Sequence, residues 1–212
     1  MFSARKSGRW HNRDMSEHVT ARRPTVVAVW LVFAGIVGWW AAFSLTMERF
    51  HQLQNPGQAA SCDFSVLVQC STNLQSSQGA VFGFPNPIIG LAAWVAPVVV
   101  GMALLAGARF ARWFWALFWL GFAFALTFVI WLIAQSLFVL ATLCPWCMVT
   151  WSVVIPSFFV VTLHVLREGV IPSVRVREVA DRLFVWVPLM TIVAFAVVAV
   201  LAQVRLNVLA QF

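Results

Sequence analysis

The chain reads as an all-α integral membrane protein, and three features of the sequence lead there. Only 10% of its 212 residues are charged, against about 25% in soluble domains. Hydrophobic residues make up 62% of the chain and mean hydropathy is +0.88. The apolar residues gather in runs long enough to cross a bilayer, which takes about 20 residues in helix. The 14 Lys and Arg residues punctuate those runs. A net charge of +7 and a pI near 11.0 would suit a nucleic-acid binder only if the basic residues shared one water-facing surface. Flanking apolar runs, they act as topology signals and anionic-lipid contacts, and no nucleic-acid partner is expected.

The spans follow in order. Residues 1–24 are polar and basic, without the short apolar stretch and cleavage site of a secretory signal, and read as a disordered cytoplasmic tail. Thr25 to Met47 forms the first span, 23 residues long. Cys62 lies 15 residues beyond its end, too far for a lipoprotein-type anchor at Ala59-Ala60-Ser61-Cys62. Pro87 to Ala108 forms the second span, joined to the third by a tight connection with Arg109 and Arg112. Residues 113–166 then contain no Asp, Glu, Lys or Arg, yet a single helix of that length would far exceed a hydrocarbon core of roughly 30 Å. A turn is needed. Gln135-Ser136 is the least apolar point, and Thr142-Leu143-Cys144-Pro145 carries the strongest helix start, because proline suits the first helical position. The third span therefore ends near 134 and the fourth runs from about 144 to 166. A basic connection over 167–183 follows, with Arg167, Arg175, Arg177 and Arg182, and a fifth span from about Phe184 to Val204 precedes a short tail ending at 212.

Orientation comes from the positive-inside rule. With the amino terminus in the cytoplasm, twelve of the fourteen basic residues lie inside, leaving Arg49 and Arg205 outside. All four cysteines then fall on the outer side, where disulfides form and persist: Cys62 and Cys70 in the 48–86 connection, Cys144 and Cys147 at the start of the fourth span. This disfavours a cytoplasmic zinc site, and C-x7-C is a poor fit to zinc-ribbon spacing; no metal is expected.

Cys144-Pro145-Trp146-Cys147 places two thiols three residues apart at a helix amino terminus. Unpaired N–H groups and the positive end of the helix dipole favour a thiolate there, and so short a loop gains little as a structural staple. Cys62 and Cys70 lie in a polar, Gly- and Ser-containing connection, where a fixed structural disulfide is the plain alternative. Two dithiols on one membrane face, one on a mobile connection and one fixed at the bilayer boundary, suit a relay by thiol–disulfide exchange. With no haem or flavin motif in the sequence, the membrane acceptor is expected to be a diffusible quinone.

Cys62-x7-Cys70, Ser76, Val81-Phe82-Gly83-Phe84-Pro85-Asn86 and Cys144-Pro145-Trp146-Cys147 together resemble the bacterial branch of the vitamin K epoxide reductase family, over roughly residues 25–166. The resemblance implies a four-helix bundle around a quinone, menaquinone or ubiquinone, capped on the outer side by the 48–86 connection, with the fifth helix an addition. It also implies roles. Cys147 reacts with the quinone and Cys144 is its disulfide partner; Cys70 attacks Cys144, and Cys62 exchanges with an external protein thiol. Asn86 donates a hydrogen bond to a quinone carbonyl, though an Asn there also suits capping of the second span. Ser76 orders the loop, with Ser77 an equally good hydrogen bonder. The sequence has no Tyr, and Trp151 stands four residues after Cys147, where the family often has one. No fused thioredoxin-like domain is seen, so the expected partner is a separate DsbA-like or thioredoxin-like extracytoplasmic protein, at a bacterial plasma membrane.

His164 is expected at the cytoplasmic interface. Trp94, Trp115, Trp119 and Trp131 are expected on helix faces and interfacial belts rather than around a cofactor. Pro97, Pro156 and Pro188 are candidate kinks. Two rivals remain: a DsbB-type quinone-linked thiol oxidase, against which the Phe-Gly-Phe-Pro-Asn segment speaks, and a non-catalytic transporter or assembly subunit with two structural disulfides. An ion-coupled transporter would usually carry charged residues within its spans.

Overall fold

The computed structural model describes residues 25–207; the amino-terminal tail over 1–24 and the last residues of the outer tail lie outside them. The described residues form an all-α membrane protein in which five helical segments are long and apolar enough to span a bilayer. In chain order the helices are α1 (Thr25–Gln54), α2 (Ser71–Gln75), α3 (Asn86–Ala93), α4 (Val95–Leu105), α5 (Arg112–Gln135), α6 (Pro145–Arg167), α7 (Val174–Phe184) and α8 (Val187–Leu206).

Four spans make the bundle. Helix α1 packs along α3 and α4 on one side and α6 on another, and α5 packs on α6. In a bilayer, lipid is as apolar as Leu, so close backbone approach and dispersion take over from the hydrophobic effect. The buried stripe of α1 fits that rule: Ala28, Gly35, Gly38 and Ala42 alternate with Leu31 and Leu45. Gly38 lies so near Trp94 that a Cβ there would overlap the indole ring. The opposite face carries Val29, Phe33, Ile36 and Trp40, all exposed, as a lipid-facing surface requires. Helix α8 packs on α6 and on the turn after α5, and leaves Ile192, Val193, Val197 and Val200 exposed.

The expected boundaries need five corrections. Helix α1 continues past Met47 to Gln54: the helix outlasts the apolar run, and Gln52 in that extension reaches the cysteine loop. The second span starts at Asn86 and is divided at Trp94, because Pro97 has no N–H for the carbonyl of Ala93. Helix α5 ends at Gln135 but runs on as a π-helical turn over Ser136–Leu140, closed by Ala141 at φ 52°. The basic connection over 167–183 holds a helix of its own: Val176, Ala180 and Phe184 recur every four residues, the helical period, and Ala180 is fully buried. The fifth span starts at Val187, not Phe184, with Pro188 in its first turn. Pro156, by contrast, sits within an uninterrupted α6.

His164 also departs from expectation. It is 3% exposed, with Trp115 edge-on to its ring at 4.5 Å and Glu168 at 4.0 Å. The return of α7 along α6, fixed by Arg167 bound to Asp181 at 2.5 Å and stacked over Phe184, closes an end that the sequence left open.

Candidate active site

The inner cysteines are positioned by how α6 begins. Pro145 occupies its first turn and Cys144 is the N-cap, extended at φ −97°, ψ 120°. Its sulfur accepts the N–H of Cys147 at 3.4 Å, the job a Ser or Asp oxygen does at most N-caps. A hydrogen bond from the Cys147 side chain lowers the Cys144 pKa most; burial opposes it, and the N–H groups of Cys147 and Trp146 add to the lowering. The start of α6 therefore favours ionisation of the Cys144 thiol relative to an ordinary cysteine. Cys144 and Cys147 are free thiols here, and Cys62 and Cys70 form a disulfide.

One short β-bridge brings the two pairs together. Gln69 N–H donates to the Leu143 carbonyl at 2.9 Å, and Leu143 N–H donates to the Leu67 carbonyl at 2.8 Å. This parallel pairing of Val68 with Leu143 brings Cys70, two residues past Val68, to face Cys144, the residue after Leu143. Their sulfurs are 3.6 Å apart, and both residues are 0% exposed.

The connection that carries Cys62 and Cys70 is gathered by hydrogen bonds around Asp63. Asp63 accepts the N–H groups of Cys70 at 2.7 Å, Ser71 at 3.0 Å and Ala60 at 3.2 Å, and the Ser71 hydroxyl at 2.5 Å. Burial pushes its carboxyl up, but those bonds outweigh it and hold the pKa below the ordinary 3.8. Gln52 donates to Ser71 at 2.8 Å, and Glu48 takes both the N–H and the hydroxyl of Ser61. The cluster of Cys62, Asp63 and Cys70 offers no thiolates to a metal, because its sulfurs are bonded to each other.

Beneath the cysteines lies a cavity of about 510 Å³ between the α3–α4 span and α5, with α6 at its back, within the size range of small-ligand sites. Its depth is apolar, lined by Trp94, Phe118, Phe122, Phe128, Leu132 and Trp151; polar groups collect at the cysteine end, where Asn73, Ser76, Asn86, Gln135 and Ser136 line it together with Cys144 and Cys147. A flat, apolar ring with carbonyls at its edge and an isoprenoid tail matches that division, so the residues present fit a quinone.

All three sequence-predicted cofactor residues line this cavity. Asn86 does not cap α3: its amide oxygen accepts Val81 N–H at 3.1 Å and its NH₂ donates to the Gln78 carbonyl at 2.7 Å, leaving one N–H. Ser76 and Ser77 separate. Ser76 donates to the Asn73 carbonyl at 2.8 Å and accepts Gly79 N–H at 3.1 Å, capping the 3₁₀ turn Ser77–Ala80, whereas Ser77 reaches only Gln78. Trp151 stands one turn beyond Cys147 on α6. Sequence reading missed Asp63, Asn73 and Trp94. Asn73 binds both Thr142 and Ser136, so it links the loop to the α5–α6 turn. Trp94 lines the cavity, while Trp115 and Trp119 pack in the helical core, the latter with its indole N–H on Thr162 at 2.9 Å.

A disulfide stacked on a dithiol at the rim of an intramembrane cavity is the site of a membrane thiol–disulfide oxidoreductase. The chain belongs to the vitamin K epoxide reductase family, whose model matches residues 29–162. That range holds the four-span bundle, the loop and all four cysteines. No curated protein matches the chain.

Proposed function

We propose that this protein makes disulfides in exported proteins: it oxidises a DsbA-like or thioredoxin-like thiol partner on the outer face of a bacterial plasma membrane and passes the electrons through its two cysteine pairs to menaquinone or ubiquinone. The observation that carries this reading is the 3.6 Å approach of Cys70 to Cys144 above a cavity that Cys147 lines. The orientation rests on the positive-inside distribution of Lys and Arg.

Each residue then has a task. The partner thiol attacks Cys62, and reduction of the outer disulfide frees Cys70 beside Cys144. Cys70 exchanges with the oxidised inner pair, which becomes the dithiol, and the outer disulfide reforms. That product has the redox state seen here, outer pair closed and inner pair open. A quinone supplies a sink for two electrons and two protons, leaving as the quinol. Cys147 presents its sulfur to that sink, and Cys144 closes the inner disulfide as the electrons leave. The remaining N–H of Asn86 serves a ring carbonyl, where negative charge develops, and Trp151 offers a face for stacking. A DsbA-like partner is a strong oxidant, at about −120 mV, so the acceptor must lie higher in effective potential.

The test is quinone absorbance on mixing detergent-purified protein with a reduced DsbA-like protein and excess menaquinone or ubiquinone analogue. Quinone loss matched to partner oxidation, and absent in Cys147→Ala, is the expected result. No quinone loss with either analogue, with both cysteine pairs resisting mild reductant, would return the protein to a structural-disulfide reading.

A further inference from the structure

We propose that Asp63 is the positioning residue that gives the relay its direction: its carboxylate holds the outer pair in disulfide geometry and sets a negative charge where a Cys70 thiolate would rest, so electrons leave the outer pair for the inner one. The inference deepens the relay reading above and rests on it.

The two sulfurs that meet at 3.6 Å differ in what answers the Asp63 charge, which reaches Cys144 too but is outweighed there by hydrogen bonds from Cys147 and Trp146. At Cys144 a backbone N–H points at the sulfur. At Cys70 the N–H groups of residues 70 and 71 are already committed to Asp63, and a carboxylate oxygen lies within 4.8 Å of both outer sulfurs. A like charge at that range disfavours ionisation; Cys70 is fully buried, while the carboxylate is half-buried and in part screened by water. Asp63 also braces the loop itself. Its four hydrogen bonds gather Ala60, Cys70 and Ser71 around one side chain, while the Cys62 and Cys70 Cα atoms stand 5.7 Å apart.

Both effects act at the same step. With the outer pair reduced and the inner pair oxidised, the Cys70 thiolate attacks Cys144; the Cys144–Cys147 bond breaks, the Cys70–Cys144 bond forms, and Cys147 leaves as a thiolate. Cys62, after losing its proton to solvent, then attacks Cys70; the Cys62–Cys70 bond forms and Cys144 leaves. Two electrons and, after reprotonation, two protons have moved inward. A thiolate destabilised by Asp63 is scarcer but, once formed, the stronger nucleophile in the first exchange, and Cys144, stabilised at the helix start, is the better leaving group in the second.

The experiment isolates the outer pair. Full-length protein carrying Cys144→Ser and Cys147→Ser is equilibrated in glutathione redox buffers at about pH 9.5, above the ordinary thiol pKa so that the thiolate is populated, quenched with an alkylating reagent, and scored for the Cys62–Cys70 state by mass spectrometry. In that background Asp63→Asn, which removes the charge and weakens the brace, should make the pair at least tenfold easier to reduce, a rise of about 30 mV or more. Asp63→Ser is a second uncharged acceptor should the amide fail to fold, with the same expectation. Asp63→Glu, which restores the charge, should return the equilibrium to within threefold of the Asp63 parent. An equilibrium unmoved in the uncharged variants, or a Glu variant shifted as far as they are, overturns the inference while leaving the relay standing. A parent whose outer disulfide never titrates sinks the relay reading and this one with it.

Discussion

The inner and outer cysteine pairs are built in different ways, although they meet within a bond's reach of exchange. Four consecutive residues set the inner pair: proline starts the helix, the preceding cysteine caps it, and the second cysteine follows three residues on. The outer pair depends on residues from Glu48 to Leu143, brought in by a carboxylate, a bridge of two hydrogen bonds and the far end of α1. A helix terminus carries its own electrostatics wherever it is placed. A loop must have its electrostatics assembled around it, and can therefore be tuned without disturbing the bundle.

Substitutions can break that division of labour in order of severity. The greatest effect belongs to the inner pair. Cys147→Ala or Cys144→Ala should reduce quinone turnover to the uncatalysed background with any electron donor, because no second thiol remains to close a disulfide; quinone absorbance checks this. Cys62→Ala or Cys70→Ala should be selective. Oxidation of the protein partner should be lost, while a small dithiol able to reach the inner pair keeps about a tenth of the quinone turnover. Equal loss with both donors would show that the outer pair is needed for more than exchange.

Asn86→Ala tests the cavity side of the comparison. Losing one donor aimed at developing charge costs on the order of 10²-fold in turnover. The same change frees the Val81 N–H and the Gln78 carbonyl, so thermal stability is measured in parallel. A fall in stability without a fall in turnover of the folded fraction would leave Asn86 as a loop anchor alone. Gly38→Val strikes from behind the cavity wall, at the back of Trp94. Its side chain would run into Trp94, and forced overpacking of this kind costs about 1–3 kcal/mol, to be read from denaturation in detergent.

The spans and the inner pair were legible in the sequence because hydropathy, proline and cysteine spacing are local signals. What was hidden is what happens at the ends of spans. Helix α7 reads as a basic connection because its Arg residues mask a four-residue apolar period, and His164 reads as interfacial because nothing in its neighbourhood announces its burial against Trp115. The outer loop shows the same limit. Its cysteines were visible, but Asp63 is one acidic residue beside a cysteine until the fold turns the N–H groups of Ala60, Cys70 and Ser71 toward it. Trp94 was set aside with other tryptophans because only the break before Pro97 and the close approach of Gly38 show where it sits.

The mildest substitution separates two adjacent hydroxyls that sequence alone left equivalent. Ser76 accepts the Gly79 N–H and donates to the Asn73 carbonyl, and Asn73 in turn holds Thr142 and Ser136. Ser76→Ala therefore removes a cap worth about 1 kcal/mol and loosens the backbone at Asn73, whose side chain links the loop to the α5–α6 turn ahead of Cys144. Turnover with the protein partner should fall several-fold, with little change when a small dithiol is the donor. Ser77, exposed and bound only to its neighbour Gln78, should tolerate alanine within about 0.5 kcal/mol. Paired melting curves and donor-dependent rates for the two variants would decide it: equal effects would mean that the order of this loop is not what delivers Cys70 to Cys144.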